Sequence, residues 1–143
     1  MLRCANLVFR TMRYKNKGGS GKRKNASPEH DIQVLIVDHL EEMDPQPLFS
    51  ATVGGVRVAM HTALKMKQAG YKKGIPDLLI FEPRNGYVGL ALEVKTMVGR
   101  ASEHQKDWQE KLRARGWKAE ICKGLNACIE CIDEYFGENI DVL

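Results

Sequence analysis

The chain has 143 residues, one domain's worth of sequence and enough to bury a hydrophobic core. It has 22 Lys and Arg against 18 Asp and Glu, a net charge of +4, and the composition of an ordinary soluble globular protein. No apolar run approaches the roughly 20 residues of a transmembrane helix, and the start lacks the long apolar core of a secretory signal. We therefore expect a cytoplasmic protein, although the Arg-containing, acid-free start is also compatible with a transit peptide.

The positive charge is concentrated at the N-terminus. Residues 1–24 contain eight Lys or Arg and no acid, whereas residues 25–143 contain 14 basic and 18 acidic residues. Residues 15–27 combine Gly, Ser, Lys and Asn, a composition typical of a flexible linker. We interpret residues 1–27 as a basic, flexible arm and residues 28–143 as a single domain. The arm is either a solvated segment or a contact for an anionic partner such as nucleic acid.

Hydrophobic spacing and turn residues predict the order helix, strand, helix, strand, strand, helix, strand, helix. The predicted helices cover about 28–43, 58–69, 102–115 and 125–136, and the predicted strands cover 48–53, 74–81, 87–95 and 117–122. This order fits an α/β fold with a central mixed sheet and helices on both faces. The strands before and after the 102–115 helix form a βαβ unit and should be parallel.

Two apolar runs in the middle of the chain carry charged residues. Residues 74–81 and 87–95 flank a turn with an Asn-Gly pair, which predicts a β-hairpin. Because the strands of a hairpin are antiparallel, Asp77 should lie beside Glu93 and Lys95. Glu93 and Lys95 are two residues apart and therefore share one face of their strand.

Two carboxylates on an apolar sheet are costly to bury unless a cation compensates them. One solution is a divalent metal ion bound by Asp77 and Glu93, with Lys95 beside the nucleophilic water. The other is a structural ion pair between Lys95 and one of the two carboxylates. These three residues alone do not decide between the two.

Polar residues on two predicted helices lie on faces that could reach this patch. The first helix has an apolar stripe of Ile32, Leu35, Ile36 and Leu40 at helical spacing. Glu29 and Gln33 are four residues apart beside this stripe, although an acid in the first turn also favours the helix dipole. Ser102 and Gln105 have the capping-box spacing. Gln105 also lies on the face that meets the core, but local sequence favours a role in the cap alone.

The segment before the hairpin is basic and contains Arg57, Lys65, Lys67, Lys72 and Lys73. One interpretation is a surface that faces phosphates, and the other is ordinary solvated side chains. His61, in the same segment, fits a surface or packing role better than a phosphate contact.

The chain has four cysteines, Cys4, Cys122, Cys128 and Cys131. Nothing indicates secretion, so disulfides are not expected. Zinc binding by the last three residues is an alternative, but a fourth ligand is not evident. We interpret these cysteines as buried free thiols.

The residues Pro76-Asp77 and Glu93-Val94-Lys95 resemble the short PD-(D/E)XK nuclease signature. The surrounding sequence is more specific, because a G-x-x-S-x-x-Q-x-x-W-x-x-x-L run follows the lysine. Together with the first helix, this pattern is similar to the VRR-NUC family over about residues 28–123. The run begins at Gly99 and contains Ser102, Gln105, Trp108 and Leu112.

The resemblance implies a restriction-endonuclease-like core and a metal-dependent DNA endonuclease. It implies Mg²⁺, with Mn²⁺ as a substitute, and phosphodiester hydrolysis in branched DNA such as Holliday junctions or flaps during replication, recombination or repair. The chain length favours the stand-alone type found in phages and bacteria, which is expected to form homodimers. Such a protein would be associated with the nucleoid through its DNA.

The resemblance also implies roles for individual residues. The metal would be held by Asp77, Glu93, the main-chain carbonyl of Val94 and Glu29. Lys95 would orient or activate the water, and Gln105 would position water or phosphate. Contacts with DNA would come from Arg100, Lys72, Lys73, Arg57 and Gln33.

Two other classes of function stay open at this stage. A non-catalytic basic DNA-binding protein would use the arm as its anchor and the carboxylates as structural ion pairs. It would bind DNA with a steep salt dependence and give no Mg²⁺-dependent product. A structural or assembly protein would have no affinity for nucleic acid at moderate salt.

Overall fold

The structure is a computed structural model that describes residues 27–54 and 56–137. The predicted basic arm, apart from its last residue, and Cys4 lie outside the described residues. No helix among the described residues is long and apolar enough to cross a membrane.

The predicted order of helices and strands is confirmed, and most of the elements are shorter than predicted. The helices are α1 (Pro28–Glu41), α2 (Met60–Gln68), α3 (Glu103–Arg113) and α4 (Gly124–Phe136). The strands are β1 (Phe49–Ala51), β2 (Leu78–Ile80), β3 (Leu90–Lys95) and β4 (Lys118–Lys123). The prediction of strand for residues 74–77 is wrong. Gly74 has φ +95°, outside the range of extended backbone, and Pro76 has no N–H to donate to a ladder.

The four strands form one mixed sheet in the order β1-β2-β3-β4. β2 is antiparallel to both of its neighbours, and β3 is parallel to β4. The predicted hairpin and the predicted parallel pair are therefore confirmed. The hairpin closes through a bridge between Arg84 and Tyr87. Asn85 and Gly86 between them have φ 53° and 80°, the left-handed pair that matches the twist of a hairpin.

One face of the sheet packs against α1 and α4 and forms the larger hydrophobic core. The sheet supplies alternate residues of β2 and β3, because successive side chains of a strand point to opposite faces. These residues are Leu78, Ile80, Leu90, Leu92 and Val94. From α1, the predicted Ile36 and Leu40 are fully buried, and Ile32 packs against them. The predicted Leu35 is outside this core, and Val37 packs there instead.

The opposite face of the sheet packs against α3 alone among the described helices. Its core is smaller and includes Ala91 and Ala119 of the sheet and Leu112 of α3. Small residues on the sheet let the helix lie close to it. Glu93 and Lys95 follow Ala91 along this same face, so the sheet directs both charged side chains toward the first turns of α3.

Candidate active site

Five of the predicted site residues come together where β3 ends. They are Glu29 of α1, Asp77 before β2, Glu93 and Lys95 of β3, and Gln105 of α3. Hydrogen bonds and ion pairs link α1, β3, α3 and the loop before β2 at this point. We call these five residues the polar cluster.

Asp77 is held from two sides. Its Oδ2 accepts a hydrogen bond of 2.8 Å from the main-chain N–H of Val94. The last β2–β3 pair joins Leu78 to Leu92, so Val94 lies beyond the paired part of β3. The Asp77 carboxylate therefore accepts the Val94 N–H in place of a main-chain carbonyl of β2. On the other side, Thr52 donates its N–H to the carbonyl of Asp77 at 2.9 Å and its hydroxyl to the carbonyl of Pro76 at 2.8 Å. The carboxylate is therefore fixed at the open end of the β2–β3 pair.

Glu93 and Lys95 form a buried ion pair. The Lys95 Nζ lies 2.8 Å from Glu93 Oε1, and the side chains are only 8% and 1% exposed. The second carboxylate oxygen, Glu93 Oε2, is buried and has no hydrogen-bond partner among the described residues. A buried acceptor without a partner is rare and costly in a folded protein. The ion pair with Lys95 therefore leaves one of the two carboxylate oxygens of Glu93 without a hydrogen bond among the described residues.

Gln105 performs two tasks at once. Its carbonyl oxygen accepts the Ser102 N–H at 2.8 Å, and the Ser102 hydroxyl accepts the Gln105 N–H at 3.3 Å, which completes a capping box. Its side-chain amide donates a hydrogen bond to Glu93 Oε1. The cap predicted from local sequence is present, but it is only half of this residue's role. The first turn of α3 is tied to the centre of the sheet.

The loop before β2 brings α3 to this position. Gly74 packs so closely on α3 that a Cβ atom there would lie 2.5 Å from the carbonyl oxygen of His104. Trp108 donates its indole N–H to the carbonyl of Lys73 at 3.0 Å. The same loop thus positions both Asp77 and the helix that carries Gln105.

Glu29 reaches the polar cluster from α1. Its Oε2 lies 3.6 Å from the Lys95 Nζ, and its side chain is 41% exposed. Gly99 makes room for it, since a Cβ at Gly99 would lie 3.1 Å from Glu29 Oε1. Lys95 is thus contacted by the partly exposed carboxylate of Glu29 and by the buried carboxylate of Glu93.

The pKa values reflect this crowding of charge. Burial raises the pKa of Glu93 from 4.5 to about 7, against the opposing effect of Lys95. Burial also raises the pKa of Asp77, although the Val94 N–H and Lys95 act against it. Burial lowers the pKa of Lys95, but its hydrogen bond to Glu93 and the surrounding acids outweigh burial and leave that pKa raised. The lysine therefore stays a cation at neutral pH.

The donors around Asp77 and Glu93 fit a hard divalent cation that keeps part of its water shell. No group of three or more His, Cys, Asp or Glu side chains in the described ranges could by itself hold a metal ion. Two carboxylates are nevertheless the usual protein contribution to a Mg²⁺ site, with waters as the remaining ligands. The unpartnered Glu93 Oε2 is one such donor. The N–H and C=O groups of one strand residue point to the same neighbouring strand. Because the Val94 N–H points to Asp77, the Val94 carbonyl also points to that side.

The residues predicted to contact DNA lie outside the polar cluster. Arg57, Lys72, Lys73 and Arg100 are exposed, and Gln33 is half-buried. None of the five makes a side-chain hydrogen bond or ion pair with the polar cluster in the described part of the chain. Their role in binding DNA stays a prediction.

Sequence reasoning missed Gln109 and Lys123. Gln109 follows Gln105 by one helical turn and is 1% exposed, and neither polar atom of its side chain has a partner among the described residues. Its amide side chain, beside Glu110 in a helix rich in charged residues, gives no signal of burial in the sequence. Lys123 is exposed and pairs in register with Lys95. Its position at the end of β4 became visible only through the parallel pairing.

Three cysteines lie together on the other side of the sheet. Cys122 and Cys128 are buried, Cys131 is half-buried, and all three are free thiols. The hydrogen bond with Cys128 raises the pKa of Cys122 to about 12, and the hydrogen bond with Cys122 raises the pKa of Cys131. Thiols that stay protonated are poor nucleophiles and poor metal ligands.

Comparisons with known proteins identify a matching family, a similar protein and two similar folds. The model of the VRR-NUC domain family matches residues 27–126. The Fanconi-associated nuclease 1 homolog of Arabidopsis thaliana is 39% identical over 77 residues, which cover 51% of this chain and 9% of that protein. The chain thus corresponds to a small part of this curated relative. All five residues of the polar cluster lie inside the family match.

Two solved structures share the fold. A "VRR_NUC domain protein" is 27% identical, with a TM-score of 0.67 over 78% of this chain and 90% of the other. A "VRR_NUC domain" is 21% identical, with a TM-score of 0.54 over 78% of this chain and the whole of the other. The second likeness concerns the fold alone.

Proposed function

This chain belongs to the VRR-NUC domain family, and on that premise we propose that it is a metal-dependent DNA endonuclease that acts on branched DNA. One observation carries the proposal. Asp77 and Glu93 are brought together beside a lysine, and Glu93 Oε2 is buried without a hydrogen-bond partner among the described residues. A purely structural ion pair does not require a second carboxylate or an unsatisfied oxygen.

The protein residues suited to hold the metal are Asp77, Glu93 and the main-chain carbonyl of Val94. We propose Mg²⁺, with Mn²⁺ as a substitute, since the candidate donors are all oxygens. When bound, the ion polarises a phosphoryl oxygen and favours the deprotonation of water. Glu29 would complete or support the site from its solvent side, since its side chain is 41% exposed and lies 3.6 Å from the Lys95 Nζ.

Lys95 supplies fixed positive charge at the reacting phosphate. Its ammonium group is held by Glu93 at 2.8 Å and by Glu29 at 3.6 Å, so the side chain is oriented before substrate arrives. A preorganised cation stabilises the negative charge that develops on a phosphate in the transition state. We propose that Lys95 also orients or activates the attacking water, because its ammonium group lies beside the carboxylates suited to hold the metal.

Gln105 is a positioning residue. Its amide donates to Glu93 Oε1 while its carbonyl is committed to the helix cap. This arrangement fixes which oxygen of Glu93 faces the helix and leaves Oε2 available. Partners that orient ligating carboxylates in this way influence metal affinity.

We infer a homodimer as the active assembly. The segment from Leu48 to Leu64 exposes six large apolar side chains: Leu48, Val53, Val56, Val58, Met60 and Leu64. Helix α2 buries none of its own residues and packs against no other described helix or strand. A second copy would cover this surface, and two sites related by a two-fold axis suit paired cuts across a DNA junction.

Sedimentation of the wild type and Leu64→Lys tests this inference. The wild type should sediment as a dimer and the variant as a monomer, and a monomeric wild type would contradict it.

The experiment that tests the activity compares DNA shapes and metals. Linear duplex, flap and four-way-junction DNA of the same sequence are each incubated with the protein in Mg²⁺, Mn²⁺ or EDTA. We expect cleavage of the branched substrates with either metal and none in EDTA. Equal cleavage of duplex and branched DNA would refute the proposed specificity, and metal-independent cleavage would refute the mechanism.

The same experiment separates a nuclease from a DNA-binding protein without activity. Such a protein would shift all three DNAs in a gel, with an affinity that falls steeply with salt, and would leave every strand intact. Binding without cleavage under all metal conditions would therefore favour that alternative.

A further inference from the structure

The turn that directly follows β3 presents two apolar side chains to solvent. The N–H of Gly99 donates to the carbonyl of Thr96 at 3.0 Å, so Met97 and Val98 occupy the two central positions of a tight turn. They are 73% and 89% exposed. Central turn positions are usually taken by Gly, Pro, Asn, Asp or Ser. We call residues 96–99 the apolar turn.

The apolar turn is built against the polar cluster. A Cβ at Gly99 would lie 3.3 Å from the Cβ of Lys95 and 3.1 Å from Glu29 Oε1. On its other side, the Met97 Sδ lies 2.9 Å from the Cβ position of Gly124 at the start of α4. Met97 is two residues beyond Lys95, so their Cα atoms are at most about 7.6 Å apart. The exposed tip therefore lies at the end of β3, next to the polar cluster.

Two exposed cations lie near this apolar tip along the chain and across the sheet, while the carboxylate of Glu29 lies on its inner side at Gly99. Arg100 is exposed immediately after the turn, and Lys123 is exposed where β4 ends beside Lys95. Residues 96–102 contain no acid. Apolar side chains next to cations suit DNA, because the cations can contact the outer phosphates and the apolar side chains can contact the faces of the bases.

We propose that Met97 and Val98 form a wedge that enters the DNA base stack next to the phosphate bound at the polar cluster and unstacks one base. Arg100 and Lys123 hold the phosphates on either side of the wedge. This inference rests on the proposed nuclease function and specifies its substrate. Insertion of an apolar side chain costs unstacking energy, and this cost is smallest where a base step is already open. The wedge therefore selects junctions, flaps and unpaired bases over continuous duplex.

The binding experiment uses a fluorescent base, 2-aminopurine, placed within two nucleotides of the mapped cleavage position. Wild type, Met97→Ser/Val98→Ser and Val88→Ser are each added to saturation in Ca²⁺, with gels confirming that the DNA stays uncut. Val88 is the matched control, because it is an exposed apolar residue at the opposite end of β3. We expect wild type and Val88→Ser to raise the fluorescence by about threefold or more and the double variant to leave it unchanged, since only an unstacked base brightens. An equal rise with the double variant overturns the wedge.

Cleavage rates provide the second readout. On four-way-junction DNA whose bases are all paired, the double variant should cut about tenfold more slowly than the wild type. It should recover to within about twofold on junction DNA with an unpaired base at the cut, where the unstacking cost is already met. An equal loss on both DNAs would mean that the apolar turn only supports the site, and would overturn the wedge. A wild type that cuts and fails the fluorescence test refutes the wedge alone. A wild type that cuts no DNA in any metal refutes the proposed function itself.

Discussion

Gln105 donates its side-chain amide to Glu93 Oε1, so the first turn of α3 is bonded directly to the most buried carboxylate of the sheet. The same side chain closes the cap of the helix through Ser102. Stability of the helix and orientation of the candidate metal ligand therefore depend on one residue.

The two roles of Gln105 can be separated by mutation. Ser102→Ala removes the cap and should lower the free energy of unfolding by about 1 kcal/mol, with little change in the cleavage rate. Gln105→Ala removes the cap bond and the bond to Glu93, so it should also weaken Mg²⁺ binding by about 10- to 100-fold. Chemical denaturation and metal titration measure the two effects. Equal metal affinity of both variants would show that the bond to Glu93 does not orient the carboxylate.

The raised pKa of Glu93 predicts a pH-dependent stability in EDTA. A carboxyl whose pKa rises from 4.5 to about 7 on folding binds its proton more tightly in the folded state. This contribution is complete below pH 4.5 and is lost as the pH rises through about 7. Between pH 6 and pH 8 the free energy of unfolding should fall by about 1 kcal/mol from this group.

Glu93→Gln is the control for this measurement, because the amide has nearly the same shape and does not titrate. Its free energy of unfolding should lack that fall, while titrating groups outside the polar cluster affect both proteins alike. The two proteins are compared by denaturation at pH 6 and pH 8. Parallel pH curves would show that Glu93 does not carry a raised pKa.

Removal of Lys95 should destabilise the protein more at pH 8 than at pH 6. Lys95→Ala leaves Glu93 buried without its cation, which costs about 3–5 kcal/mol when the carboxylate is ionised. At pH 6 the Glu93 carboxyl can bind a proton and become neutral, so most of the cost of burying an unpaired charge is absent. Lys106→Ala is the matched control, because Lys106 pairs with an exposed Glu103, and such pairs contribute about 0–1 kcal/mol. If Lys95→Ala lowers the free energy of unfolding only slightly and equally at both pH values, the result would contradict a buried ion pair.

Metal binding should be visible without any cleavage. The proposed site at Asp77 and Glu93 exists only in the folded state, so Mg²⁺ should stabilise the wild type by about 2.7 kcal/mol at 100 times its dissociation constant. Asp77→Asn keeps an oxygen for the Val94 N–H but loses the charge, and it should show no rise in Tm. Glu103→Gln, at an exposed carboxylate, should behave as the wild type does. The same Tm rise in Asp77→Asn would place the metal elsewhere.

Much of the polar cluster could be predicted from the sequence because its geometry is local. The two-residue period of a strand places Glu93 and Lys95 on one face, and the hairpin places Asp77 beside them. The capping-box spacing likewise identified Ser102 and Gln105. Each of these inferences needs only one element or one turn.

The remaining features depend on contacts between distant parts of the chain. The bond from Gln105 to Glu93 requires α3 to cross the sheet where Gly74 and Trp108 hold the loop before β2. The burial of Gln109 follows from the same crossing. The exposure of Met97 and Val98 was likewise invisible, since an apolar pair in a predicted loop reads equally well as buried. Periodicity contains no information on these relations.

The most direct measurement of the central claim is cleavage of four-way-junction DNA by the wild type, Asp77→Asn and Glu93→Gln. All three proteins are assayed in Mg²⁺ and in EDTA after circular dichroism has shown equal folding. We predict that the wild type cuts only with Mg²⁺ and that each variant is slower by about a thousandfold or more, because each loses a charged oxygen at the reacting phosphate. Cleavage by either variant at the wild-type rate, or by the wild type in EDTA, would contradict a metal-dependent nuclease centred on Asp77 and Glu93.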